Sequence, residues 1–182
     1  MGTRHLIKVI DNKGELKVAQ YGQWDGYPKG KGLRTLLYAD YHLDKIEKGL
    51  KRVRWAEDNE LDVIESQFPE ANYFGTEDSD NFELLYPNLV RDTSADILMV
   101  IAYSIGEVIL VNNIEFEEDE LFCEGVYTLN YQTRTYTTKY HGVELIVMLD
   151  KLPDYEEYIK LWEERVEWHK QDIEYDKKEA QY

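Results

Sequence analysis

Residues 125–149 read GVYTLNYQTRTYTTKYHGVELIVML, and this stretch decides the fold class. Val, Ile, Thr and Tyr dominate it, the side chains that fit a pleated, half-buried surface. Breaks near Thr133 and at His141-Gly142 divide it into strands over 125–132, 134–140 and 143–149, an antiparallel meander. After it, Pro153 with Asp154 marks a helix start. A long helix over 154–178 follows, with Tyr158, Leu161, Trp162, Arg165, Trp168 and Ile173 along one side. Upstream, 107–112 reads as a strand and 115–120 as an exposed acidic loop. Residues 92–104 are apolar almost all round, the pattern of a buried helix, with Thr93 or Ser94 as its cap.

The other end of the chain is equally patterned. Residues 3–10 and 15–21 alternate around Asp11-Asn12-Lys13-Gly14, which predicts a β-hairpin. Four glycines and a proline over 22–32 make a structured loop. Leu33, Leu36, Leu37, Tyr41, Leu43, Ile46, Leu50 and Val53 recur at helical spacing, predicting a helix over 32–54 in which Gly49 costs about 1 kcal/mol. Residues 59–66 suggest a short helix, and 70–87 a loop with local structure. The order predicts an α+β domain over 1–182: an antiparallel or mixed sheet with helices packed on it and a long C-terminal helix.

The net charge is −16, and its distribution is uneven. Residues 1–56 hold 12 Lys and Arg against 6 Asp and Glu, whereas 57–124 hold Arg91 alone against 19 carboxylates. Glu115, Glu117, Glu118, Asp119 and Glu120 form the densest acidic run. Glu77, Asp78 and Asp80 form a second, with Asp58, Glu60 and Asp62 before it. The helix over 32–54 carries Lys45, Lys48, Lys51, Arg52 and Arg54 on its polar side, a candidate nucleic-acid contact. Poles of opposite sign steer partners of opposite charge; solubility alone also favours an acidic surface. The single cysteine, Cys123, allows no internal disulfide, no signal peptide is recognisable, and the longest apolar stretch is far short of a membrane span. A cytoplasmic protein is expected.

Catalytic signatures are weak. His5, His42, His141 and His169 are scattered and lack zinc-site spacing, so His5 reads as a packed strand residue. Gly26 to Lys31 approaches a phosphate loop, but Leu33 stands where a hydroxyl would hold magnesium. Glu77 to Asn81 resembles part of a calcium loop without its glycine and bidentate glutamate. Cys123 lies beside Glu120 and Glu124, which would raise its pKa. No metal or cofactor is called for. Trp24, Asp25 and Tyr27 in the glycine-rich loop suit either a ligand loop or a buried corner with both rings in the core; the corner is preferred. Tyr127, Tyr131, Tyr136 and Tyr140 suit an interface or cross-strand packing. Trp162 and Trp168 are candidates for homodimer packing or for covering the sheet.

The opening Met1-Gly2-Thr3-Arg4-His5-Leu6-Ile7, then Val18 to Pro28 (VAQYGQWDGYP) with Gly30-Lys31-Gly32 after it, resembles a family spread through phages, plasmids and bacterial genomes. The likeness is specific over 1–32, looser over 125–149 and Leu152-Pro153, and does not cover the acidic middle. Some members begin Met-Cys-Thr-Arg, like N-terminal-nucleophile hydrolases, whose free amine serves as base; Gly2 replaces that cysteine here. In length and acidity the chain is similar to type II-A anti-CRISPR proteins. That resemblance implies a partner, the RNA-guided CRISPR effector nuclease of a bacterial host, whose cationic channels carboxylates would occupy in place of phosphate. A hydrolase or its inactive relative, and a sensor or ligand-binding domain using the GQWDGYP loop over 22–28, stand beside it as alternatives.

Overall fold

The computed structural model describes residues 2–57, 59–71 and 75–179, which leaves Asp58 and residues 72–74 of the expected 70–87 loop outside it. A sequence-local hairpin and a sequence-local meander build the main sheet. β1 (His5–Ile10) pairs antiparallel with β2 (Leu16–Gly22), and β5 (Gly125–Asn130), β6 (Thr135–Tyr140) and β7 (Val143–Met148) form the meander. β1 joins them by running parallel to β5, with His5 opposite Gly125 and Ile10 opposite Asn130. The order is β2-β1-β5-β6-β7, a mixed sheet.

Alternation along the strands divides the sheet into two faces. Ile7, Val9, Val18, Tyr127, Leu129 and Tyr136 share the main core with Leu36, Ala39 and Ile46 of α1 (Leu33–Gly49) and with Ile97, Leu98 and Ile101 of α4 (Ile97–Tyr103). The opposite face is thinner. There Leu6, Ala19 and Val126 lie beneath Ile114, Phe116 and Cys123. Buried tyrosines tie the layers together: Tyr127 donates to the Gly26 carbonyl, Tyr136 to that of Gly32 and Tyr131 to that of Leu43. The meander tyrosines therefore fix the 22–32 loop and α1 to the sheet, the packing alternative for these rings.

The first helix ends earlier than expected. α1 stops at Gly49, a short 3₁₀ turn spans Leu50–Arg52, and Val53–Trp55 is a strand, β3, parallel to β4 (Val108–Leu110). Helical spacing of Leu50 and Val53 is outweighed here by tertiary pairing of a β-branched and aromatic segment. Gly49 owes its place to packing: a Cβ there would lie 2.2 Å from the Ile101 carbonyl oxygen, so α1 and α4 meet backbone to backbone. The expected loop over 70–87 contains a helix, α3 (Glu77–Leu85), after the short α2 (Glu60–Glu65). Thr76 caps α3 by accepting from the Ser79 amide, and Glu77, Asp78 and Asp80 fill its first turn, where the helix dipole favours carboxylates. Neither Thr93 nor Ser94 caps α4; the Thr93 hydroxyl donates to the Pro87 and Val90 carbonyls, and Ser94 turns inward.

α5 (Tyr155–Glu179) buries Tyr158 and Trp162 on the main-core side of β6 and β7, with the Tyr158 hydroxyl 2.9 Å from Thr138 Oγ1 and the Trp162 ring edge-on to Tyr140. Trp162 thus covers the sheet, while Trp168 is exposed. Beyond Glu163 the helix keeps only Val166 and His169 half-buried among residues up to Tyr175. Among the described residues no helix is long and apolar enough to cross a membrane.

Candidate functional site

The acidic run over 115–120 lies in a short turn, Ile114–Glu118, and the segment after it, stacked on the thin face of the sheet. Phe116 anchors it edge-on to Tyr21 at 4.9 Å. Its carboxylates divide by role. Glu117 pairs with Lys8 on β1 at 2.6 Å. Asp119 accepts the amides of Leu121 and Phe122 and so holds the turn. Glu115, Glu118 and Glu120 are exposed and make no ion pair among the described residues. Beside them Leu121 is 77 % and Phe122 43 % exposed, with the Arg4 guanidinium 4.4 Å above the Phe122 ring. Cys123 follows, its thiol pushed up to about 11 by burial and then by Glu117 and Asp119. Glu117 and Asp119 thus act where Glu120 and Glu124 were expected to. Such a thiol is a poor nucleophile.

The second acidic run lies on α3. Glu77, Asp80 and Glu83 recur at three-residue spacing and are exposed, next to exposed Leu84 and Leu85. Asp78 instead accepts the Glu70 amide. This segment is a helix and not the loop it partly resembles.

The basic and acidic thirds are partly interlocked. Arg54 on β3 reaches Glu60 through two nitrogens and Glu107 through a third. The hydrogen bonds from Arg54 hold the Glu60 carboxyl down to about 2 and raise the guanidinium further above its ordinary value. Arg34 pairs with Asp96, which also accepts from Tyr38.

The five cations expected on one helix face are therefore dispersed. Arg54 is neutralised on β3. Arg52 donates to the Ile101 carbonyl from the turn. Lys45 donates to the Tyr103 hydroxyl and sits over that ring, beside His42, where α1 is kinked. Lys48 and Lys51 remain, and they face Lys13 and Lys17 of the first hairpin across a cleft of about 730 Å³.

The 22–32 loop is a corner, but not with its aromatic rings inside. Gly22, Gly26, Pro28 and Gly32 are its buried parts. Trp24 is 51 % and Tyr27 42 % exposed, and Asp25, at φ 56°, is exposed as well. The bonds from Tyr127 and Tyr136 to backbone carbonyls make the glycine-rich backbone itself the buried element, which turns the side chains outward. Trp24 packs on Gly2. A Cβ at Gly2 would lie 2.3 Å from the Gln23 carbonyl oxygen and 2.6 Å from the Trp24 ring, so this backbone has no room for a nucleophilic side chain at position 2.

One pair escapes sequence reading altogether. His5 Nε2 lies 2.6 Å from Ser94 Oγ, and Nδ1 lies 3.4 Å from the Thr3 carbonyl. Ser94 takes φ 53°, in the left-handed region that costs a non-glycine residue about 1 kcal/mol or more. With Nδ1–H toward Thr3, the serine hydroxyl donates to Nε2. Nucleophile–base pairs in hydrolases have this arrangement. Here both residues are 0 % exposed, and neither lines the lysine cleft, the cleft at Tyr21 and Arg91, or that at Phe68 and Phe82. Burial lowers the imidazole to about 4, so it is neutral at physiological pH and acts as a structural latch between β1 and the start of α4.

No family model, curated protein or solved structure matches the chain.

Proposed function

We propose that the protein is an acidic inhibitor from a mobile element that binds the RNA-guided CRISPR nuclease of a bacterial host, in the host cytoplasm, and blocks its access to DNA or its cleavage. The observation that carries this reading is the 115–122 turn. Glu115, Glu118 and Glu120 stand exposed without ion pairs among the described residues, around the exposed Leu121 and Phe122. An apolar centre with a charged rim is the arrangement of a protein interface. The sign of the rim suits a channel built to hold phosphates. Glu77, Asp80 and Glu83 supply a second row, on one side of α3 with a rise of about 4.5 Å from each to the next. A row of this kind meets cationic side chains as a nucleic-acid strand does.

The test is a nuclease-inhibition assay with Glu115→Lys/Glu118→Lys/Glu120→Lys and, separately, Leu121→Ala/Phe122→Ala. These residues do not hold the turn together, unlike Glu117 and Asp119, so far-ultraviolet circular dichroism should be unchanged. The charge reversal is expected to weaken nuclease binding at least tenfold and more at low salt. Full inhibition by both variants sinks the proposal.

A further inference from the structure

The cleft between the first hairpin and the end of α1 has a charge pattern unlike the rest of the molecule. Lys13 stands in the β1–β2 turn, Lys17 on β2, Lys48 in the last turn of α1 and Lys51 just beyond it, with Leu50 between the last two and 2 % exposed. Three carboxylates also line it. Asp11 is committed to the turn, where Oδ1 accepts the amides of Lys13 and Glu15. Glu15 is committed to Lys17 at 2.9 Å. Glu47 is the third. Among the described residues Lys13, Lys48 and Lys51 make no ion pair.

The dipole of α1 accounts for Lys48 and Lys51, since cations are favoured near a helix C-terminus. It does not account for Lys13, brought to the same cleft from a hairpin some 35 residues away in sequence. Lys13, Lys17, Lys48 and Lys51 against Asp11, Glu15 and Glu47 leave the cleft with one positive charge in excess, which an anion relieves. Lysine meets phosphate as a point charge, without a demand for fork geometry. The volume, about 730 Å³, lies in the range of small-ligand clefts. At physiological salt the Debye length is about 8 Å, so carboxylates outside the cleft oppose an anion here only weakly, while Glu47 inside it does so directly.

We propose that this cleft binds phosphate groups, carried by a nucleic-acid strand or by a free nucleotide, through Lys13, Lys48 and Lys51 with Lys17 at the rim. No aromatic side chain lines it, so bases have no stacking platform and binding is indifferent to sequence. The proposal does not depend on the acidic turn. Its test uses the full chain without any nuclease.

A fluorescein-labelled single-stranded oligonucleotide is titrated by anisotropy, and ATP by calorimetry, at about 50 and about 150 mM salt. Lys13→Ala/Lys48→Ala/Lys51→Ala is expected to lose at least tenfold in affinity and to lower the log–log salt slope by about 2. The Arg triple variant, and Glu115→Lys/Glu118→Lys/Glu120→Lys, should bind like the parent. Loss with the oligonucleotide identifies a strand as ligand; loss with ATP alone identifies a free nucleotide. Either supports the cleft. The proposal is overturned if neither probe binds the parent at the lower salt, if the Ala triple binds as the parent does, or if the Arg triple, which keeps every charge should the Ala triple unfold, fails to bind.

Discussion

His5 shows at single-residue scale how one buried group couples folding to acidity. Its imidazole, 0 % exposed and lowered from 6.5 to about 4 by burial, stays neutral in the fold but gains a proton in the unfolded chain. The unfolded state therefore binds more protons between pH 6.5 and 4, and stability falls as pH drops through that window. The contribution is fully present above pH 6.5 and lost by about pH 4, a change of about 3 kcal/mol. Urea unfolding of the parent and of His5→Gln across this range is expected to give curves that converge by about that amount toward low pH. Parallel curves would mean that the imidazole is not buried and neutral. The strand alternation Leu6, Lys8 against His5, Ile7, Val9 made a packed His5 legible in the sequence. Its partner was not legible, because Ser94 is 89 residues away and its φ of 53° has no local sequence signal. Trp24 and Tyr27 misled for a related reason. Their apolar character suggested burial, whereas Gly26 between them and Gly22 and Gly32 on either side let the backbone take the inner place.

Among elements, α5 divides into a half that packs and a half that does not. Tyr158 and Trp162 carry its attachment; past Glu163 the described side chains up to Tyr175 are exposed apart from half-buried Val166 and His169. Ending the chain after His169 is expected to remove helical circular-dichroism signal while leaving the melting temperature within about 2 °C, since few apolar contacts are lost. Trp162→Ala is expected to lower stability by about 3 kcal/mol. A truncation that melts as early as Trp162→Ala would show that the terminal half supports the fold. Elements whose signal is local were readable: the two-strand hairpin, the meander and α5 all follow from alternation, turn residues or Pro153. β3 was not, because three residues become a strand only against β4, more than fifty residues later. α3 had a signal that composition obscured, with Thr76 as cap and three carboxylates in its first turn. The acidic turn was legible as a run of carboxylates, but the division between holding and displayed residues depends on Lys8 and on backbone amides that only the fold supplies.

At the level of the whole molecule the balance of charge sets behaviour that single pairs do not. Arg54, Arg34 and Lys8 offset carboxylates of the middle segment, yet the chain keeps a net charge of −16. Self-repulsion of that size opposes the compact state and is screened by salt. Exposed pairs contribute at most about 1 kcal/mol each and lose less on screening than repulsion does. The melting temperature is therefore expected to rise by several degrees between about 20 and about 300 mM sodium chloride, read by differential scanning fluorimetry. A flat or falling melting temperature would indicate that the carboxylates are compensated.

The parallel contact of β1 with β5 has a consequence for the order of events during synthesis. β5 begins 115 residues after β1 ends, so the N-terminal hairpin leaves the ribosome with its inner edge unpaired. At about 5–20 residues per second, that edge waits roughly 6 to 25 s for its neighbour. Throughout that delay the open edge of β1 is exposed to pairing with any other strand.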